Sequence, residues 1–271
     1  MTQKILFAIS AVLIIAAIVA IIVTNKPKVS DKLITISTEY NYVYTEQKRL
    51  NFKIYSNKLK HKIHFDENIS YVYLENTEQT NRFELELIEI TYSHEEKYLG
   101  DTYYAYNYSF VMPRLESNLL IEDANLSLTL ANGVNYLLPI GTFRFLYYPD
   151  VGIENSLKIT GLYGYKQEGS DYSRLAKILI EHENDKSFSL NSISIDGEHD
   201  LDYLLREHEI EVVIPYQKLA LNHAPIILTI TKEGSTKVQV IDNFQFFNDY
   251  NILETSGDLI NVYHANWVKK R

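Results

Sequence analysis

Along most of this chain the hydrophobic side chains recur at every second position. In RFELELIEITY, Phe83, Leu85 and Leu87 alternate with Arg82, Glu84 and Glu86, as in a strand with one face in a core and the other in water. The segments YAYNYSFVM, LSLTLA, FRFLYY, ILIEH, EIEVVIP, IILTIT and KVQVID behave alike. Short strands with turn signals roughly every eight to twelve residues predict an antiparallel sandwich or barrel. Asn132-Gly133, between LSLTLA and VNYLLPI, predicts a two-residue hairpin with positive φ at both positions, and Lys232-Glu233-Gly234-Ser235 reads as a longer equivalent. Pro113 and Pro215 are expected where strands end, because proline cannot donate to a ladder.

The first residues break this alternation. From Ile5 to Val23 the chain runs ILFAISAVLIIAAIVAIIV, with Ser10 as its one polar side chain and no charge. As a helix it would be about 28 Å long, close to the thickness of a bilayer core. The segment is too long for a signal-peptide core and lacks a small-x-small exit, so it reads as an uncleaved anchor over 5–23 that contacts membrane lipid. Residues 24–31 form a short linker. Lys26, Lys28 and Lys32 after the span outnumber Lys4 before it, which by the positive-inside rule favours a cytoplasmic carboxyl terminus; large domains translocate despite so small a bias.

A long-period repeat follows the anchor. Phe83, Leu85, Ile88 and Ile90 match Phe188, Leu190, Ile193 and Ile195 at an offset of 105 residues. Val111-Met112-Pro113 matches Val213-Ile214-Pro215, Leu128-Thr129-Leu130 matches Leu228-Thr229-Ile230, and Phe143-Arg144-Phe145 matches Phe244-Gln245-Phe246, at offsets of 102, 100 and 101. Collinear matches at nearly constant spacing indicate a domain duplication rather than a solenoid. The expected fold is an all-β ectodomain of two tandem immunoglobulin-like antiparallel β-sandwich domains, over 32–150 and 151–250, after a single N-terminal transmembrane helix. Residues 251–271 are expected to pack on the second sandwich. The likeness is to an architecture, without its disulfide or a clear core tryptophan.

Charge and composition narrow the function. All 35 acidic residues and 23 of the 26 basic ones lie beyond position 28, leaving that part of the chain at −12. No basic stripe is present to bind phosphates, so nucleic acid is not an expected partner. The basic end Lys269-Lys270-Arg271 reads as a solvated tail, and the Asn-x-Ser sites at Asn68, Asn107 and Asn125 carry little weight in an asparagine-rich chain. With no cysteine there is no thiol catalysis, thiolate ligation or disulfide.

Motifs for hydrolases, phosphate loops, zinc peptidases and dinucleotide binding are absent. No cofactor or metal is expected. The densest polar run, Asp196 to Asp202 with Glu207, His208 and Glu209, could offer oxygen ligands to a hard cation, but it lacks the order of an EF-hand and reads as a loop. His182-Glu183-Asn184-Asp185 reads as a turn. Tyrosine gives the better hint: of 22 tyrosines, Tyr104, Tyr106 and Tyr108 share one strand face, and Tyr40, Tyr42 and Tyr44 share another. Exposed, such rows suit protein or glycan partners; buried, they are strand core. The expected function is that of a membrane-anchored, non-catalytic, extracytoplasmic interaction or accessory protein of a cell-envelope assembly, with a protein partner at the membrane or cell surface. The alternatives are a glycan or cell-wall binding module using the tyrosine faces, and a hydrolytic enzyme with its site near the 196–209 loop.

Overall fold

A computed structural model describes residues 31–44, 48–148, 157–167, 175–183, 188–215, 219, 221, 223–245 and 252–264. The expected anchor over 5–23 lies outside these residues. No helix among the described residues is long and apolar enough to cross a membrane.

The described chain is all-β. Its first lobe contains β1 (Lys32–Ile36), β2 (Thr38–Val43), β3 (Arg49–Ser56), β4 (Ile69–Asn76), β5 (Arg82–Glu84), β6 (Leu87–Tyr98), β7 (Asp101–Val111), β8 (Leu119–Leu130) and β9 (Asn135–Leu146). The second contains β10 (Ile159–Lys166), β11 (Leu175–His182), β12 (Phe188–Ser194), β13 (Tyr203–Leu205), β14 (Glu209–Val213), β15 (His223–Lys232) and β16 (Ser235–Gln245). A short helix α1 (Ile252–Ser256) and a last strand β17 (Ile260–His264) follow.

The first lobe has two sheets, ordered β17-β1-β3-β7-β6 and β2-β9-β8-β4-β5. Leu50, Phe52, Ile54, Tyr108 and Phe110 from one meet Val72, Leu74, Leu126, Leu128, Phe143 and Phe145 from the other in a shared core. The second lobe repeats this on a smaller scale, with sheets β10-β11-β14-β13 and β12-β15-β16 around Ile178, Ile180, Ile193, Ile210, Val212, Leu228 and Ile230. Strand alternation makes each such core, since every second side chain leaves water together with its neighbours on the facing sheet. Among the described residues pairing is antiparallel except between β2 and β9. That parallel pair starts at Gly141, whose φ is +112° and where a Cβ would stand 2.3 Å from Thr38 O, so only glycine fits.

The hairpins reverse the expected order of loop lengths. At Asn132-Gly133 only Gly133 has positive φ, and Gly133 N–H donates to Leu130 O while Leu130 N–H donates to Val134 O. This is a three-residue loop with glycine closing a type I turn. Glu233-Gly234 is the two-residue turn, with positive φ at both positions and Lys232 paired to Ser235.

Three of the repeat's matches fall on corresponding strands. Val111-Met112-Pro113 and Val213-Ile214-Pro215 close β7 and β14, Leu128 and Leu228 lie in β8 and β15, and Phe143 and Phe244 lie in β9 and β16. The first match does not correspond. Phe83 belongs to β5 and Ile88 and Ile90 to β6, in different sheets, whereas Phe188 to Ser194 all form β12. The chain crosses between sheets at Leu85-Glu86, and the alternation continues through the crossing because Leu85 still enters the core.

The chain's last described segment also departs from expectation. It packs on the first lobe, not the second: β17 pairs with β1 from Lys32↔His264 to Ile36↔Ile260. Leu253 and Leu259 cover Ile34, Ile36, Tyr55, Tyr103 and Ala105 on the outer face of that sheet. The buried Glu96 carboxylate accepts from Tyr55 Oη (3.1 Å) and Leu253 N–H (2.8 Å) and meets His94 Nε2 at 2.6 Å. The free edge of β1 and an apolar outer face on β3 and β7 provide this docking place, which linear order does not reveal.

Candidate functional site

The two tyrosine rows are core, not an exposed surface. Tyr106 and Tyr108 are buried, and Tyr104 packs against the same core. Tyr108 Oη donates to Ile63 O (2.7 Å) and Tyr106 Oη to Leu59 O (2.5 Å). His64 stacks on Tyr106 with ring centroids 3.7 Å apart and bonds Tyr108 Oη and Ser56 Oγ, each at 2.8 Å. Burial pushes the His64 imidazole down to about 3, with neighbouring His61 adding to the effect. Tyr40 and Tyr42 lie against Phe143, and burial pushes the Tyr42 phenol up to about 12. Tyr44 is half-buried and packs against the same core. The rows were open to misreading because β7 is covered on both faces, by the core and by the C-terminal segment, so neither face of the strand looks polar.

The acidic loop serves the junction of the lobes. Arg144 of β9 reaches Asp196 Oδ2 at 3.2 Å and Glu198 Oε2 at 3.3 Å, both from the second lobe. Burial raises the Asp196 carboxyl, but the backbone N–H groups of His199 and Glu198 and the side chains of His199 and Ser194 outweigh it and bring it down to about 2. Gly197, at φ +75°, lies under Leu146 and Tyr148; a Cβ there would stand 2.8 Å from Leu146 Cδ2. Nearby, Val43 and Leu146 pack on Ile227, with Tyr148, Val238 and Val240 around them. Lys48 Nζ donates to Asp242 and lies 5.2 Å from the Tyr42 ring centroid. Burial lowers the Lys48 ammonium, and Asp242 opposes that shift. Arg206 engages Glu209 and Glu211 instead. Among the described residues no group of three or more His, Asp or Glu could hold a metal ion.

The exposed chemistry lies at one corner of the first lobe. Val72 and Leu74 of β4 point into the core, which turns Tyr71 and Tyr73 outwards. Their rings stack with centroids 6.4 Å apart and planes 23° from parallel. The Arg82 guanidinium caps Tyr73 at 3.7 Å from its centroid while Arg82 Nε pairs with Glu75 at 3.0 Å. Tyr71 is 54% exposed. Beside it a groove of about 440 Å³ runs between Ile69–Val72 and Glu84–Leu87, within the size range of ligand pockets. β5 opposes β4 only from Tyr73 to Glu75, and Leu85 N–H donates to Val72 O before the chain leaves for the other sheet. The first residues of β4 therefore have β8 on one side and the groove on the other, and Ser70 is skipped in the β8 register.

Sequence reasoning passed over Tyr71, Tyr73, Glu84 and Glu86 as a group. The signal was present in SYVYLEN, where tyrosine alternates with Val72 and Leu74. A second exposed patch, Tyr163 and Tyr165 on β10 with Lys177 Nζ 4.8 Å from the Tyr165 centroid, lies on the second lobe.

No family model matches the chain, and no curated protein matches it. Solved structures with which it overlaps include "Anomalous substructure of Titin-A168169" (9% identity, 80% of this chain and 100% of that one, TM-score 0.22). Two others are "Titin Ig tandem domains A164-A165" (9%, 79% and 96%, TM-score 0.20) and the fibronectin(III)-like modules of Clostridium thermocellum CbhA (12%, 78% and 93%, TM-score 0.19). At such TM-scores the overlap assigns no activity, and the all-β character of the chain rests on its own strands.

Proposed function

We propose that this chain is a membrane-anchored, non-catalytic interaction or accessory protein of a cell-envelope assembly. The apolar run over 5–23 holds it in the bilayer, and two immunoglobulin-like sandwiches stand outside the cytoplasm and meet a protein partner. The sandwich reading is supported by strand order. With β17 set aside, β1-β3-β7-β6 faces β2-β9-β8-β4-β5, and β10-β11-β14-β13 faces β12-β15-β16, the four-on-three plan of that fold with extra edge strands in the first lobe.

One observation carries the functional reading: the lobes are clasped. Arg144 with Asp196 and Glu198, Lys48 with Asp242, and the Val43, Leu146 and Ile227 contact join them through charge and apolar packing. A clasped pair presents its surfaces at a fixed spacing, as a positioning or docking protein requires.

Placement is tested with the chain's lack of cysteine. Lys60→Cys and Asp200→Cys each put a thiol at an exposed site, one per lobe. A membrane-impermeant maleimide is expected to label both in intact cells. Labelling only after lysis would refute the extracytoplasmic placement and leave a cytoplasmic scaffold.

A further inference from the structure

We propose that the groove beside Tyr71 binds an extended cationic segment of a partner protein, with lysine or arginine at alternate positions. The inference rests on the reading of the chain as an interaction protein and names the chemistry of what it meets. Three features of the corner converge on this occupant.

The first is the backbone. β5 ends at Glu84, so among the described residues the start of β4 has no strand on the groove side and Ser70 has no register partner. An extended segment laid there meets unpaired main chain, the usual basis of strand addition. The second is charge. Glu84 and Glu86 both line the groove and are exposed, and neither forms an ion pair among the described residues. They flank Leu85, whose side chain enters the core, and both stand exposed beside the groove. A ligand with cations at alternate positions matches them one for one.

The third is the aromatic stack. Arg82, Tyr73 and Tyr71 form a cation-on-ring series in which Arg82 covers Tyr73, while Tyr71, 54% exposed, has no cation over its ring among the described residues. A second guanidinium or ammonium on that ring would repeat, from the partner, the contact that Arg82 already makes within the chain. It would then lie between the Tyr71 ring and the two carboxylates. Between the cations, the partner's apolar side chains face Ile69 and Leu87, which half-bury themselves at the groove wall. A neutral sugar would use the Tyr71 ring but leave both carboxylates without a counter-charge.

The test uses the full-length protein in neutral detergent and a fluorescein-labelled peptide alternating valine with lysine or arginine, read by anisotropy. Saturable binding is expected. It should weaken about tenfold in Glu84→Gln/Glu86→Gln, as two exposed ion pairs are lost, and about threefold in Tyr71→Ala. A charge-matched control, Glu95→Gln/Glu122→Gln, should bind like the parent protein, and an alternating valine–glutamate peptide should not bind. All variants change exposed residues, and unchanged melting confirms that each is folded. Absence of saturable binding overturns the proposal, as does equal weakening in the control pair, which would mean attraction to net charge alone. Binding of cellohexaose in place of the peptide would make the corner a glycan site and equally overturn it. Lost peptide binding with surface labelling retained strikes this site and leaves the placement of the lobes standing.

Discussion

Replacing Asp196 by asparagine probes the clasp with little change in shape. Its Oδ1 accepts from Ser194 Oγ (2.9 Å), Glu198 N–H (3.0 Å) and His199 N–H (2.9 Å). Its Oδ2 faces His199 Nδ1 (2.7 Å) and Arg144 Nη1 (3.2 Å). An asparagine keeps the first set but turns an amide donor toward two donors. A carboxyl held at about 2 against an ordinary 3.8 favours its charged form by about 2.5 kcal/mol, and the side chain is only 14% exposed. Asp196→Asn should therefore destabilise the protein by about 2 kcal/mol, or about 4–8 °C in melting temperature for a unit of this size.

The sign of the pH dependence follows from the depressed carboxyl. Stability from Asp196 is complete above the unfolded value near 4 and is lost as pH falls toward about 2. Asp196 also raises the His199 imidazole, so the gap between parent and variant should widen somewhat as pH falls from 7 to 5 and narrow below pH 4. Part of it is shared with Arg144, so a cycle with Arg144→Met should give a coupling of about 1 kcal/mol. Calorimetric melts of the full-length proteins in detergent measure both quantities. A variant within about 0.5 kcal/mol of the parent at pH 7 would refute the reasoning, since changes of that size are ordinary for unconstrained surface sites. An additive cycle would remove Arg144 from the account.

Three further outcomes test other parts of the fold. Gly141→Ala brings a Cβ onto the Thr38 backbone at positive φ and should cost about 3 kcal/mol or more by urea unfolding; a near-neutral result would contradict the β2–β9 register. Glu96→Ala strands the Tyr55 hydroxyl and the Leu253 N–H, at about 1–3 kcal/mol. Hydrogen exchange should then rise over 252–264 and stay unchanged in β11 and β14; uniform loss of protection would deny Glu96 a local role. His64, pushed down to about 3 by burial, should keep a neutral-imidazole NMR signal from pH 8 to pH 4. As pH falls below the unfolded value near 6.5 it should cost the fold up to about 1.4 kcal/mol per pH unit, and a midpoint near 6.5 would show that the ring is not desolvated.

How far the sequence reached depended on whether a feature was local. LSLTL in β8, EIEVV in β14 and VQV in β16 carry their alternation in adjacent residues, and each became a strand. Turn geometry was harder: Asn132-Gly133 and Glu233-Gly234 both end in glycine, yet their loop lengths follow from the register of the flanking strands. The tyrosine rows failed for a related reason. Alternation tells which residues share a face but not which face is covered, and β7 is covered on both. The Asp196 loop read as a polar loop, but its task depended on Arg144, which lies more than fifty residues earlier in β9.

From the sequence alone came the all-β character, the strands, most of the internal correspondence between lobes and the lack of thiol chemistry, because each is a property of neighbouring side chains or of composition. Tertiary structure alone decided that β17 returns to the first lobe, that Arg144 and Lys48 bind the lobes together, and that β5 stops short and leaves a groove beside Tyr71. Those features depend on which edge is left open and which charge lies opposite another after the sheets have packed. Such pairings are set by three-dimensional proximity between distant residues, and no period along the chain encodes them.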